Sequence, residues 1–244
     1  MSIKSSTSSF PPMGESFSPN RPSENASRIT SIFPILIHEF YIENYSKIKK
    51  QLINYCYDER SKDHRGIKRS NLGNSWHSKI FYNQSENIIS TTLKSVLTKY
   101  LKTYPVFKKE TRIDVTTLWI NINSVGGNNA IHNHPNSNLS GVFWIKSPKN
   151  CGNLIFENPN NFAEFNCLSS YTQTVSEKFN KFQNYIQPPK EGCVLLFPSH
   201  LSHRVEENLN ELNEDRISVS FNIRVTSPKE DAMDTMSRSP NVIY

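Results

Sequence analysis

The spacing of apolar residues changes from helical to strand-like near residue 111, and this change limits the possible folds more than any other feature of the sequence. Apolar and polar residues alternate in RIDVTTLWININSVGG (112–127) and in RISVSFNIRV (216–225), as in strands with one buried face. Gly126 and Gly127 end the first of these strands. Four further extended segments lie between the two, at 130–134, 139–146, 153–157 and 193–198. The second half of the chain is therefore predicted to be a series of strands.

Two amphipathic helices are predicted before these strands. The first covers 44–59, where Ile48, Leu52 and Tyr55 recur at helical spacing. The apolar stripe of the second helix, at 85–102, consists of Ile89, Leu93, Val96 or Leu97, and Tyr100. An earlier apolar run, 31–42, is interrupted by proline and predicts an edge strand. Helices followed by strands predict an α+β chain whose sheet is largely antiparallel.

Both ends of the chain are predicted to be tails around one domain. Residues 1–28 contain nine serines and four prolines with almost no apolar side chains, so burial cannot offset the entropy of ordering them. Residues 227–244 are polar and punctuated by proline. One domain is therefore expected at 29–226. Within it, 161–189 is too long for a hairpin connection, and its aromatic side chains suit either a lid or a small satellite core.

Composition and the pattern of charges and cysteines indicate in which compartment the protein is expected and which classes of partner the sequence supports. We find no apolar segment of membrane-spanning length and no secretory signal pattern, so no membrane association is expected. The four cysteines are scattered without a Cys-x-x-Cys pair, which predicts reduced thiols in a cytoplasmic protein. The net charge of +6 is spread along the chain, and therefore does not support a nucleic-acid partner. The substrate, small or macromolecular, is not identified by the sequence.

A histidine pair is the first candidate for metal binding. His132 and His134 project from the same side of an extended chain, and Pro135 ends the ladder. Two imidazoles in this arrangement can bind one metal ion, at about 2.0–2.1 Å from each nitrogen. By itself the pair is equally compatible with ordinary surface or core histidines.

The second candidate group lies in EGCVLLFPSHLSHRVEENLNELNEDRISVSFNIRV (191–225). His200 and His203 follow a buried strand, and one face of the last strand begins with Arg216 and Ser218. A half-exposed strand with a wet polar face is the plain alternative. Together with the histidine pair, however, the pattern suits a non-haem Fe(II) site with three open positions for a 2-oxo acid and O2. In that interpretation Arg216, with Ser218 beside it, binds the remote carboxylate of the acid.

At these residues the chain resembles the 2-oxoglutarate/Fe(II)-dependent oxygenases, in particular the group with an H-x-H-P…SGV(F/Y)(W/Y) block. The matching stretches are SNLGNSWHSK (70–79), LWININSVGGNNAIHNHPNSNLSGVFWI (118–145), GNLIFENP (152–159), and GCVLLFPSHLSHRVEEN with DRISVSFNI. The resemblance covers about 31–225. It implies a double-stranded β-helix (jelly roll) with the N-terminal helices packed on the major sheet. It also implies Fe(II), 2-oxoglutarate and O2, which yield succinate, CO2 and an oxidised, most often hydroxylated, substrate.

The metal ligand set departs from the wider superfamily, in which H-x-D is usual and His134 takes the place of the aspartate. Three ligand sets are considered. One consists of His132, His134 and His203. Another combines His134 and His203 with a carboxylate such as Glu157 or Asp114, and the third has two histidines and an open position. We favour the three histidines, because they require no distant residue, and we prefer His203 to His200 because it matches the L-x-H of the family.

The resemblance adds weaker candidates. Polar side chains at the positions of Asn121 and Asn123 touch 2-oxoglutarate or substrate in related oxygenases, although strand-end asparagines also bind turn backbone. Ser140 and Trp144 are candidates of the same kind, and the 70–76 loop is expected to frame the mouth of the site. The function predicted is a 2-oxoglutarate-dependent hydroxylase. The alternative is an inactive, or 2-oxoglutarate-independent, cupin-like metal-binding jelly roll that serves as a binding module.

Overall fold

The computed structural model describes residues 33–82, 86–103, 107–160 and 168–227. The predicted tails, 1–28 and 227–244, lie outside these residues except for Ser227, so the domain boundaries stay predictions. The helices are α1 (Tyr45–Lys62), α2 (Ile88–Thr103) and α3 (Gln173–Phe179), with a 3-10 turn at Leu168–Ser170. The strands are β1 (His38–Tyr41), β2 (Asn71–Leu72), β3 (Ser75–His77), β4 (Phe81–Tyr82), β5 (Arg112–Asn123), β6 (Asn128–His132), β7 (Leu139–Lys146), β8 (Leu154–Glu157), β9 (Asn184–Gln187), β10 (Cys193–Pro198), β11 (His203–Val205) and β12 (Arg216–Thr226).

The strands form two antiparallel sheets. The major sheet has the order β1-β10-β7-β12-β5-β3, with β4 also paired to β5, and the minor sheet has the order β2-β6-β11-β8-β9. In the major sheet β12 pairs along its length with β5 on one side and with β7 on the other. The predicted α+β double-stranded β-helix is confirmed.

The major sheet is covered on one face by the helices. The apolar faces of β5 and β12 are almost fully buried, because alternation places every second side chain on this side. They pack against Leu52 and Cys56 of α1, and against Ile89, Leu93 and Leu97 of α2. Burying one such leucine contributes about 1.5–3 kcal/mol to folding, which explains why the helical stripes predicted from the sequence lie here. In the described part of the chain, no helix combines the length and the apolar character needed to cross a membrane.

The opposite face of the major sheet packs on the minor sheet. Between the sheets lies a second apolar cluster, in which Trp144 and Phe197 of the major sheet meet Leu154 and Phe156 of the minor sheet. The polar faces of β5 and β12 point into the same space, so the polar residues identified in the sequence lie inside the fold.

Two parts of the structure differ from the sequence-based expectation or add to it. The short strands β2, β3 and β4 were not predicted; they pair with the longer β5 and β6. The described part of 161–189 has its own structure: Thr172 caps α3 by accepting a hydrogen bond from the Val175 amide, and β9 forms one edge of the minor sheet. Residues 161–167 lie outside the described residues, so a lid role for this segment stays a prediction.

Candidate active site

Three histidines meet in the space between the sheets. His203 begins β11 and lies opposite His132, the last residue of β6, while His134 follows two residues later. One ring nitrogen from each histidine lies within 4.8 Å of the others, and no second group able to hold a metal is found in the described ranges. The ring centroids are 4.4 Å apart for His132 and His203, 5.1 Å for His132 and His134, and 5.3 Å for His134 and His203.

Backbone contacts explain why the histidines converge. The register between β6 and β11 shifts after the His132–His203 pair, as at a β-bulge. Beyond the end of β6, the amide of His134 donates to the carbonyl of Ser199, and the amide of Ser199 donates to the carbonyl of Asn138. His134 is therefore held beside the strand pair although it lies outside β6, where the sequence had predicted an extended segment to continue.

Hydrogen bonds define the protonated nitrogen of two of these rings. The Nδ1 atom of His132 lies 2.8 Å from the carbonyl oxygen of Ala130, and that of His203 lies 2.8 Å from the carbonyl oxygen of Leu201. A carbonyl oxygen only accepts, so each Nδ1 carries the proton and each Nε2 keeps its lone pair. This is the arrangement of metal-binding histidines, in which a backbone acceptor fixes the tautomer.

Burial keeps the three rings neutral. It lowers the pKa of His132 below its ordinary value, and it lowers the pKa of His134 to about 4 and that of His203 to about 3, with a further effect from neighbouring His132. All three imidazoles are consequently unprotonated at neutral pH and available as ligands. Imidazole nitrogens suit iron, so the donor set fits this metal.

The other candidate ligands lie apart from this group. The carboxylate of Asp114 pairs with Arg112 at 2.7 Å, and neither Asp114 nor Glu157 contributes to the described metal-binding group. His200 is exposed on the turn after β10. The geometry therefore supports the three-histidine set among the alternatives raised by the sequence.

Arg216 lies deep in the same space, where its side chain is 1% exposed. Its Nη1 atom donates to the carbonyl oxygens of Cys151, Gly152 (3.4 Å) and Glu206 (3.1 Å), whereas the buried Nη2 atom has no hydrogen-bond partner. Burial lowers the pKa of Arg216 to about 10, so the guanidinium still carries its charge at neutral pH. A buried cation with a free donor is costly unless an anion binds it, which fits the carboxylate of a 2-oxo acid.

Gly152 allows these carbonyl groups to approach Arg216. Its φ of +84° lies in the region that favours glycine, and a Cβ atom added there would lie 2.8 Å from Nη1 of Arg216 and 2.7 Å from the carbonyl oxygen of Glu207. The loop between β7 and β8 thus forms one wall of the guanidinium site.

One cavity of about 50 Å³ connects the histidines with Arg216. Ser218, Asn121 and Asn123 line it as well, and Ser70 and Trp144 complete part of its wall. The remaining lining residues are Trp119, Asn129, Gly141, Val142, Leu154, Phe197, Val205 and Ser220. The structure thus brings the three favoured ligands together with Arg216, Ser218, Asn121, Asn123, Ser70 and Trp144 to one cavity, whereas Asp114, Glu157 and His200 do not line it. The Ser140 hydroxyl also lies elsewhere and donates to Oδ1 of Asn222 at 2.9 Å.

The two asparagines differ in their remaining capacity for hydrogen bonds. Nδ2 of Asn123 donates to Oγ of Ser75 (2.7 Å) and to Oδ1 of Asn129 (3.2 Å). Nδ2 of Asn121 donates to Oγ of Ser220 at 3.0 Å, while its buried Oδ1 has no partner. Neither side chain binds turn backbone in these contacts, and Asn121 has a polar atom available to a ligand.

His77 is a nearby residue that the sequence did not single out. It is 5% exposed in β3, opposite Asn121 of β5, and its ring stacks on Trp119. A lone histidine in a three-residue strand gives no periodic signal, so only the pairing of β3 with β5 reveals its position.

A family model described as "Putative 2OG-Fe(II) oxygenase" matches residues 117–222, a range that contains the three histidines and Arg216. This match confirms the resemblance seen in the sequence. That family uses Fe(II), 2-oxoglutarate and O2, and the three-histidine group fits iron. No curated protein matches the chain.

Solved structures share the fold at low sequence identity. A prolyl-4-hydroxylase from Pseudomonas putida aligns with a TM-score of 0.53 and 12% identity, covering 77% of this chain and 91% of its own. A Trichoplax adhaerens prolyl hydroxylase, in complex with a hypoxia inducible factor peptide fragment, has a TM-score of 0.52 and 11% identity over 81% and 86% of the two chains. The carbocyclase SnoK from nogalamycin biosynthesis has a TM-score of 0.55 and 11% identity over 83% and 85%. These similarities establish a shared fold. They do not identify the reaction, which has to be inferred from the residues of the site.

Proposed function

We propose that this chain, whose fold and matched region are those of 2-oxoglutarate/Fe(II) oxygenases, is a non-haem Fe(II)- and 2-oxoglutarate-dependent oxygenase that hydroxylates its substrate. The observation that carries the proposal is the presence of two complementary groups in one cavity. Three neutral histidines with available lone pairs lie in it together with Arg216, a buried cation that has a free donor.

His132, His134 and His203 hold the Fe(II) ion in this proposal. Their lone pairs bind the ion without proton release at neutral pH, because burial already keeps the rings neutral. Bound Fe(II) and 2-oxoglutarate supply the oxidising chemistry, in which O2 is consumed, succinate and CO2 are released, and a C–H bond of the substrate is hydroxylated. Three neutral ligands leave the full charge of the ion in place, which favours an anionic co-ligand.

Arg216 and its neighbours bind 2-oxoglutarate. The free Nη2 donor of Arg216 binds the remote carboxylate, and Ser218, two residues along the same strand face, adds a hydroxyl. Asn121 and Asn123 contact the bound acid or the substrate; because the free Oδ1 of Asn121 only accepts, its partner is a hydrogen-bond donor of the substrate. The apolar side chains of Trp144, Leu154 and Phe197 exclude water from the cavity. Because the cavity is small, about 50 Å³, the substrate binds at the mouth of the cavity in this proposal.

Anaerobic titration tests this function. Fe(II) followed by 2-oxoglutarate under argon is expected to give the full-length protein a weak visible charge-transfer band, and admitting air is expected to yield succinate. Zn(II) is the matched control, because it binds the same kind of ligands but does no redox chemistry. If neither the band nor succinate forms with Fe(II), the oxygenase assignment fails.

A metal-binding jelly roll without 2-oxoglutarate chemistry is the second candidate. It is favoured by the absence of a carboxylate from the described metal-binding group and by the three carbonyl groups that already bind Arg216. In that case Arg216 is a structural residue, and its replacement lowers stability without changing any ligand affinity. A cytoplasmic location also stays a proposal, supported by the unpaired, buried thiols of Cys56, Cys151 and Cys193.

A further inference from the structure

His134 differs from the other two candidate ligands in how its ring is held. The rings of His132 and His203 each have a backbone carbonyl at Nδ1. For His134, within the described ranges, the hydrogen bonds involve only its backbone: the amide donates to the Ser199 carbonyl (2.9 Å), and the carbonyl accepts from the Ser137 amide (3.3 Å). A ligand histidine usually has its second nitrogen fixed by a hydrogen bond, so the orientation of this ring must come from packing.

Trp119 supplies that packing. Its ring lies on the polar face of β5, with its centroid 5.6 Å from that of His134 and the planes tilted by 53°. Among the described residues, the other rings near His134 are those of His132 and His203, which are themselves candidate ligands. Trp119 is therefore the aromatic neighbour that can fix the His134 ring before any metal binds.

His77 stacks on Trp119. The two rings are nearly parallel, at 8° and 5.6 Å between centroids. Nδ1 of His77 lies 2.6 Å from the carbonyl oxygen of Ser78, and Ser78 is bound twice to Ile120, through its amide (3.0 Å) and its hydroxyl (2.9 Å). Hydrogen bonds through Ser78 thus connect His77 to Ile120 of β5, the residue next to Trp119. The stacked rings of His77 and Trp119 therefore have little freedom to move.

We propose that Trp119, backed by His77, is a positioning residue that orients His134 for metal binding. Trp119 thereby replaces the hydrogen bond that the other two ligands receive. This inference rests on the proposed metal site, but it assigns no chemistry to Trp119 or to His77. His77 is not a member of the metal-binding group found among the described residues.

Co(II) binding to the full-length protein tests the proposal, because the visible absorption of Co(II) reports the ligands around it independently of turnover. Loss of a supporting group typically weakens metal affinity by about 10- to 100-fold, and this is the range expected for Trp119→Leu. The Co(II) spectrum of Trp119→Leu should shift towards that of His134→Ala. Trp119→Phe keeps an aromatic face and should retain most of the affinity.

Two further variants separate positioning from other roles. Tyr41→Leu is the control for loss of an aromatic side chain, since Tyr41 is exposed on the edge strand β1 of the same sheet and does not line the cavity. It should leave the Co(II) affinity unchanged. His77→Ala should weaken the affinity, whereas His77→Phe, which preserves the stack, should restore it. If His77→Ala and His77→Phe lose the same amount of Co(II) affinity, His77 is itself a ligand, and the proposal is overturned.

The outcomes also separate this inference from the proposed function. If the wild-type protein binds no Co(II), the metal site itself fails. If the wild type binds Co(II) and Trp119→Leu binds it with the same affinity and spectrum, only the positioning role of Trp119 is refuted. If Trp119→Leu does not fold, as judged by circular dichroism, His77→Ala and His77→Phe decide, because they change the stack without altering β5.

Discussion

His132 and His203 face each other across the β6–β11 ladder, with ring centroids 4.4 Å apart and each Nδ1 bound to the carbonyl two residues before it. Two of the three candidate metal ligands are therefore positioned by strand pairing. The positions of the two rings depend on the backbone of β6 and β11 and on only two side chains, those of His132 and His203.

Replacing His203 with alanine is expected to abolish high-affinity metal binding. Removing a ligand should cost more than the roughly 10- to 100-fold that loss of a supporting group costs. His200→Ala is the matched control, because His200 is exposed three residues earlier and should leave the affinity unchanged. Isothermal titration with Co(II) measures both. If His200→Ala lost the Co(II) affinity and His203→Ala kept it, His200 would be the ligand instead of His203.

The stability of the metal-free chain should decrease as the pH falls below 6.5. Burial places the pKa of each of the three histidines below the ordinary value of 6.5, with His134 at about 4 and His203 at about 3. Between these values the unfolded chain binds protons that the folded chain does not, so the unfolded state is favoured as pH falls. Urea denaturation at pH 7, 6 and 5 measures this decrease.

The histidine contribution to this pH dependence can be separated from that of carboxyl groups. His203→Phe removes one buried imidazole and should flatten the pH dependence, whereas His200→Ala should not. If the urea concentration at the midpoint of unfolding stays constant from pH 7 to pH 5 in the wild type, burial does not lower the pKa values of these histidines.

Arg216→Met should weaken 2-oxoglutarate binding. Truncating one member of a buried charged pair typically costs 2–5 kcal/mol, so the Kd is expected to rise by about 30-fold or more. Arg224→Met is the control, since Arg224 is exposed on the same strand. Titration of the Co(II)-loaded protein measures the affinity. An unchanged Kd together with lower stability would favour the structural role of Arg216.

Gly152→Ala should perturb the same guanidinium site indirectly. An alanine forced into this left-handed backbone costs about 1 kcal/mol or more, and its methyl group would press on Arg216 and on the carbonyl oxygens of Glu206 and Glu207. We expect a lower melting temperature and a higher Kd for 2-oxoglutarate. Lys149→Ala, an exposed change in the same loop, should alter neither quantity.

Asn208→Ala should destabilise the segment that leads into β12. Nδ2 of Asn208 donates to the carbonyl oxygens of Asn123 (2.9 Å) and Glu214 (2.8 Å), and Oδ1 accepts from the Asn210 amide (3.0 Å). Leaving these three backbone groups unpaired, two of them buried and one half-buried, is expected to cost about 2–4 kcal/mol. Urea denaturation measures this cost, with the exposed Leu209→Ala as a control that should be nearly neutral.

The long strands and the face of each residue could be predicted from the sequence, because alternation has a direct physical cause. Ile217 and Phe221 are fully buried under the helices, while Arg216 and Ser218 line the opposite cavity. Burial on one side of a sheet enforces a period of two residues, so the pattern alone identifies both faces.

The rest of the site depends on contacts between distant parts of the chain. Strands of two or three residues, such as β3, are too short for a period, so the place of His77 was not predictable. The sequence also gave no indication that backbone carbonyls from Cys151, Gly152 and Glu206 would surround Arg216, since backbone groups carry no residue-specific signal. Likewise, the register that places His203 opposite His132 is a property of the pairing between β6 and β11.

The enclosure of Arg216 by neutral carbonyl groups has a consequence for discrimination among small acids. Since no carboxylate of the described residues forms an ion pair with the guanidinium, a ligand that reaches only the histidines leaves a buried charge without a direct counter-ion. A monocarboxylic oxo acid such as pyruvate is such a ligand, whereas a dicarboxylic acid of matching length satisfies both ends of the cavity. In the proposed function, the separation between the histidines and Arg216 would therefore set the chain length of the acid that binds.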